Sequence, residues 1–168
     1  MVDILEQQKE FTNLLETHIG ILLKISAVYS RTAQDRQDLL DEMTYQLWKS
    51  FASFQGRSSL STWIYRVALN TALTKLRYDR RNVLIPYGDV SQHWDQHIVS
   101  EDPALRDMYD QLYDSIEMLN DFDKAIILLY LDRHSYEQIA EVMGITQSNV
   151  GTRISRIKQQ LKNLATKE

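Results

Sequence analysis

Between Arg57 and Arg81 the chain carries six Lys or Arg side chains and a single carboxylate, Asp79. A second basic run, residues 142–168, carries five against one. Guanidinium and ammonium groups at helical spacing are the chemistry that neutralises phosphates, and an interleaved amide such as Asn70 can read a base edge. The segments around these runs are acidic. Residues 82–103 hold four carboxylates and no Lys or Arg, and residues 104–141 hold nine against three, within a chain of net charge −4. A charged run is by default one solvated face of a helix. Two basic blocks kept apart by acidic ones, each with further signals of its own, favour the steering of a polyanion to chosen faces.

Helices must position these groups. Apolar residues at Ile4, Phe11, Leu14, Leu15, Ile19, Leu22, Leu23 and Ile25 predict a first helix, or a broken pair, over 3–30. Leu39, Leu40, Met43, Leu47 and Phe51 predict a second from Gln34 to Phe51. Gly56 among serines marks a turn, and Ser59 or Ser61 can cap a third helix reaching Arg81, with Trp63, Ile64, Val67, Ala68, Leu73 and Leu76 inside. Trp63 reads as core rather than as a stacking platform. Residues 83–103 show no sustained period, include Pro86 and Pro103, and read as an acidic, flexible linker. Helical patterns resume over 104–118, 121–132, 135–143 and 146–164. The fold class is therefore all-α, with small helical domains at 1–82 and 104–168.

The last two patterns form a helix-turn-helix. Ser135 and Gln138 have capping-box spacing, Gly144 permits a left-handed turn, and Thr146 can cap the final helix. Val150, Ile154, Ile157, Leu161 and Leu164 step by four and three along one buried stripe. Ala140 is small enough for the two helices to cross closely. The opposite face offers Gln147, Ser148, Asn149, Thr152, Arg153, Ser155, Arg156 and Lys158 to a major groove. Gly151 inside this helix costs about 1 kcal/mol relative to alanine; either a close approach of backbone to DNA keeps it, or it is tolerated. A plain helical hairpin with a wet face is the bland alternative, and cap, glycine, stripe and charge together favour DNA.

Composition excludes several classes. With 43% hydrophobic and 25% charged residues the chain is globular rather than disordered. No cysteine is present, so disulfides and thiolate metal sites are excluded and a reducing cytoplasm is the expected setting. No apolar run approaches the ~18–20 residues of a membrane span, and the first residues lack the order of a signal peptide. An enzyme is disfavoured, because no phosphate-cradling glycine loop and no nucleophile elbow occur. His93 and His97 lie four apart without a third ligand, so neither metal nor cofactor is expected.

At this point a family resemblance enters. The stretch Phe51–Arg81 resembles the promoter-melting region of bacterial RNA polymerase sigma factors of the extracytoplasmic-function group, at Phe54, Gly56, Ser58, Thr62, Trp63, Ala68, Asn70, Arg80 and Arg81. Asp35–Trp48 resembles the family helix that binds the polymerase clamp, and Leu119–Leu161 resembles its second DNA-binding domain. The resemblance implies a sigma factor that binds core RNA polymerase, through the clamp of the beta-prime subunit and the flap of the beta subunit, and directs initiation at promoter DNA. It implies clamp contacts from Asp38, Asp41, Glu42 and Gln46. A pocket over Phe54–Ser61, including Ser58, Leu60 and Ser61, would take a base flipped out of the non-template strand. Asn70 would read a base edge, while Arg66, Lys75, Arg77, Arg80 and Arg81 hold phosphates. The linker would thread towards the RNA channel, and an anti-sigma factor is an expected partner. Family members often carry a basic residue and a serine where this chain has Gly151 and Thr152, so the preferred upstream sequence does not transfer. The rival reading is a stand-alone helix-turn-helix regulator, which leaves the Gly56–Arg81 pattern and the acidic helix before it without a purpose.

Overall fold

The computed structural model describes residues 4–82 and 102–166, and every regular element among them is an α-helix. They belong to two compact units, one within Met1–Ile85 and one within Pro86–Glu168. The segment read as a linker falls, over residues 83–101, outside the described residues, as do His93 and His97. No helix among the described residues is long and apolar enough to cross a membrane.

The first unit contains α1 (Ile4–Tyr29), α2 (Ala33–Phe51) and α3 (Leu60–Asn82), each packed on the other two. α1 is one unbroken helix of 26 residues. Its apolar stripe, Phe11, Leu14, Ile21, Leu22, Ile25 and Val28, runs past Gly20 without changing phase, which removes any reason for the break allowed above. Ile19 lies off that stripe and stays exposed, as does Ile4 in the first turn. Thr32 caps α2 by accepting from the Asp35 amide at 3.0 Å. Ser59, not Ser61, caps α3, accepting from the Thr62 amide at 3.2 Å and bonding the Thr62 hydroxyl at 2.8 Å.

Aromatic side chains close both ends of the α2–α3 connection. Phe11 meets Trp48 edge-on at 5.1 Å and Phe51 at 5.4 Å, and Phe54 lies on Trp63 at 4.9 Å. Trp63 is core, as the sequence implies. The centre of the buried arc on α3 is nevertheless Tyr65, Leu69 and Ala72, while Val67, Leu73 and Leu76 are only half-buried. α3 is wedged against two helices, so it buries a wider arc than a single stripe predicts.

In the second unit, α4 (Pro103–Glu117), α5 (Asp121–Leu131), α6 (Tyr136–Met143) and α7 (Gln147–Ala165) follow in order. Pro103, read from sequence as linker, is the first residue of α4, with Asp102 capping the Ala104 amide at 3.0 Å; a proline has no N–H to lose at that position. Leu105 and Met108 on α4 remain exposed, and Ile116 is its buried residue. α5 buries Ala125 through Leu129 in succession, the mark of a helix enclosed on several sides. α7 packs on α4, α5 and α6. The capping box of Ser135 and Gln138 is present in both directions, and Gly144 takes the left-handed conformation at φ 67°.

α5 ends in the same kind of turn without a glycine. The His134 amide reaches Leu129 O at 3.1 Å and the Arg133 amide reaches Tyr130 O at 3.0 Å, which puts Arg133 in the left-handed position at φ 62°. A Cβ there is unfavourable. Arg133→Gly is therefore expected to raise the stability of the second unit by about 0.5–1 kcal/mol, read as a higher midpoint in urea or thermal unfolding.

Candidate nucleic-acid interface

Helical pitch sorts the charges of α3. Arg66, Asn70, Arg77, Arg80 and Arg81 fall within about 100° of one another around the axis, along one flank of the buried arc of Tyr65, Leu69 and Ala72. Asn70, Arg77, Arg80 and Arg81 are exposed and Arg66 is half-buried. Arg77 and Arg81 have no ion-pair or hydrogen-bond partner among the described residues. Lys75 does not join them. It points to the opposite side of α3, where Asp79 takes its ammonium at 3.6 Å.

That opposite side belongs to a groove of about 790 Å³ between α2 and α3, lined by Asp38, Glu42 and Gln46 from one helix and Asn70, Lys75 and Tyr78 from the other. Asn70 stands on the border between groove and basic face. Along α2, Asp38, Asp41 and Glu42 are exposed and Gln46 is half-buried. Each carboxylate accepts from a glutamine amide one turn away: Gln34 to Asp38 at 2.8 Å, Gln37 to Asp41 at 2.9 Å and Gln46 to Glu42 at 2.9 Å. These donors are neutral, so the side chains are held while the negative charge persists. A phosphate strand is repelled here and a basic protein surface is attracted.

Before α3 the chain turns at Gly56, φ 66°. Phe54 is half-buried against Trp63, and Ser58, Leu60 and Ser61 are half-buried around the start of the helix. The loop thus brings an aromatic pair and two serine hydroxyls into one short stretch around the start of the helix.

On α7 the buried stripe is Val150, Ile154 and Ile157, with Leu161 and Leu164 half-buried. Ser148, Thr152, Ser155 and Arg156 point directly away from it, and all four are exposed. Thr152 bonds back to Ser148 O at 3.1 Å. Two further cations of α7, Arg153 and Lys158, flank the stripe and are engaged with α5. Arg153 Nη1 donates to Asp123 Oδ1 at 2.7 Å, its Nε donates to Asn149 Oδ1 at 3.2 Å, and its Cζ lies 4.8 Å from the centre of the Phe122 ring. Lys158 donates to the Tyr130 hydroxyl at 2.6 Å and sits 4.4 Å from that ring's centre. The hydrogen bond to Tyr130 raises the lysine pKa, so the amine stays charged at any physiological pH. Gln147, at the first turn of α7, is exposed to one side. The outward side thus has hydroxyls at its centre, with Arg156 and Lys162 as cations that have no side-chain partner among the described residues. The sequence reading missed that Asp123 and Tyr130 engage Arg153 and Lys158, since an acid in the first turn of α5 looks like any residue favouring a helix start.

Comparison with known proteins decides the family. The model for Sigma-70 region 2 matches residues 14–82, and the model for Sigma-70, region 4, matches residues 109–161. The chain belongs to the sigma-70 family. More narrowly it is an extracytoplasmic-function (ECF) sigma factor. It is 30% identical over 152 residues to the ECF RNA polymerase sigma-E factor of Haemophilus influenzae, covering 83% of this chain and 80% of that one. Similarity to the RNA polymerase sigma-H factor of Pseudomonas aeruginosa is 29% over 156 residues, covering 85% and 77%. Among solved structures, the sigma factor RpoE in complex with the anti-sigma factor NepR, from Bartonella quintana, has a TM-score of 0.76 at 22% identity, over 94% of this chain and 98% of that one. CnrH in complex with the cytosolic domain of CnrY has a TM-score of 0.68 at 18% identity, over 96% and 90%. This sigma factor is an initiation subunit that binds core RNA polymerase and directs it to promoters.

The structure also bears on Gly151. A Cβ built there meets the Tyr136 ring at 3.5 Å, an ordinary contact distance, and its φ is not left-handed. Gly151→Ala is expected to stabilise the second unit by about 0.5–1 kcal/mol, measured by thermal unfolding; weakened promoter binding in the same variant would identify close approach of DNA as the reason for the glycine.

Proposed function

We propose that the basic face of α3 holds the non-template strand of the downstream promoter element while α7 enters the major groove of the upstream one. The observation that carries this reading is the partition of α3. Arg66, Arg77, Arg80 and Arg81 stand on one side, the acidic groove stands on the other, and Asn70 stands at the border between them. A single-stranded backbone can follow the first side without meeting Asp38 or Glu42. Capturing unpaired bases needs no hydrolysis, because binding them shifts the duplex towards its melted state. The Phe54–Ser61 loop would receive one flipped base, with stacking and hydrogen bonds offsetting an unstacking cost of about a few kcal/mol.

The carboxylates of α2 would dock on basic residues of the beta-prime clamp, with Lys75 at the edge of that contact rather than on DNA. The second unit would meet the beta flap. With the first domain ending near residue 82 and the second beginning with α4 at Pro103, the acidic segment of sequence between them would run towards the RNA channel. Because one solved relative is bound to an anti-sigma factor, a protein regulator covering both cationic faces is proposed here too. The setting would be the bacterial cytoplasm, where core polymerase works, and no catalytic site is assigned to the chain.

Asn70→Ala is expected to slow open-complex formation about tenfold or more, one lost base contact being worth ~1–3 kcal/mol, with closed-complex binding little changed. Permanganate reactivity of promoter thymines set beside footprinting of the closed complex separates the two steps. Arg156→Ala is expected to weaken holoenzyme binding to the upstream element and to lower the slope of log K against log salt by about 0.9, the value for one phosphate. An unchanged slope in a salt titration would remove α7 from the DNA.

A further inference from the structure

We propose that Arg133, in the turn between α5 and α6, binds a backbone phosphate beside the upstream element, and that this contact keeps an arginine where glycine fits better. The inference rests on the docking of α7 proposed above. It adds to that docking a residue that belongs to neither helix of the helix-turn-helix.

Arg133 is the one non-glycine residue with a left-handed φ among the described residues. The turn imposes that conformation from both sides. The amides of Arg133 and His134 close onto Tyr130 O and Leu129 O at 3.0 and 3.1 Å, and the buried His134 ring has its Nδ1 3.2 Å from Leu129 O. A Cβ is unfavourable there, yet the side chain gives the fold nothing visible in return. It is exposed and has no hydrogen-bond or ion-pair partner among the described residues. Burial and the charge of Asp132 raise the Tyr113 pKa, which places the neighbouring carboxylate near α4. Backbone strain that no internal contact repays points to a use outside the chain.

The turn is fastened to one flank of α7. Arg133 stands three residues after Tyr130 and three before Tyr136. Tyr130 accepts from Lys158 Nζ at 2.6 Å, the Tyr136 ring lies 3.5 Å from where a Cβ on Gly151 would be, and the two rings are 6.5 Å apart. Gly151, Lys158 and Lys162 fall within about 40° of one another around α7, between the buried stripe and the outward hydroxyls. A helix lying in the major groove turns its flanks to the two phosphate walls, and the helix before it crosses the backbone. The wall on the Gly151–Lys158 side therefore runs past the start of α6, beside Arg133. A guanidinium, always charged and with paired donors, suits a phosphate at that place.

The test uses full-length protein with core polymerase and promoter duplex, comparing wild type with Arg133→Gly, Arg133→Lys and Arg156→Ala. Arg133→Gly should raise the unfolding midpoint and yet weaken binding to the upstream element about fivefold or more at 0.1 M salt, lowering the slope of log K against log salt by about 0.9. A promoter library should show the same base preferences as wild type, because a phosphate carries no sequence. Arg133→Lys keeps the charge and should keep most of the slope. A residue with only a structural role could not move stability and affinity in opposite directions. Should the glycine variant fail to fold, Arg133→Asn, which also tolerates this φ, takes its place. An unchanged slope in Arg133→Gly, with Arg156→Ala lowering it, overturns the proposal and leaves the docking of α7 intact. Loss of affinity for core polymerase in place of DNA overturns it too, by assigning Arg133 to a protein contact. If neither variant changes DNA binding, the docking of α7 has failed and the proposal falls with it.

Discussion

Burial of Val150, Ile154 and Ile157 beneath α7 is the constraint on which the second unit turns. A helix offers a ligand whichever arc its buried stripe leaves over, so a stripe seated on α5, α4 and α6 sets the rotation of α7 about its own axis. Arg153 and Lys158, on the flanks of that stripe, reach back to Asp123 and Tyr130 and oppose rolling in either direction. Partly exposed ion pairs contribute little to stability, ~0–1 kcal/mol. Their effect here is geometric: they fix which residues look outward.

The same logic governs the first unit. Tyr65, Leu69 and Ala72 anchor α3, and their phase puts arginines on one side and Lys75 on the other. Charge is then separated by less than the width of a helix. A protein of net charge −4 can hold a polyanion in this way because local fields within about 10 Å, the screening length at 0.1 M salt, outweigh the distant total. The acidic face of α2 completes the division, because its carboxylates repel a phosphate strand.

Features encoded within a few residues were legible before any coordinates. The Ser135–Gln138 box, the Gly144 turn, the Thr146 cap and the valine–isoleucine stripe each span one or two turns, and all are present. Trp63 as core followed from helical spacing alone. Two kinds of feature escaped. Counting charges without helix phase grouped Lys75 with the arginines of α3, although it faces another way, towards Asp79. Pairs distant in sequence left no local trace: Arg153 and Asp123 are 30 residues apart, Lys158 and Tyr130 are 28 apart, and nothing near either cation signals that it is engaged. Whether the first pattern was one helix or a broken pair was also left open, and α1 is one helix of 26 residues.

The glutamines along α2 have a consequence for how quickly a partner is accepted. Gln34, Gln37 and Gln46 each donate a hydrogen bond to a neighbouring carboxylate in the free protein. Much of the side-chain entropy that association would otherwise remove, ~0.5–1.5 kcal/mol for each immobilised side chain, has already been given up on folding. A basic surface arriving at this helix therefore meets a preorganised anionic lattice, and less of the attraction is spent on freezing it.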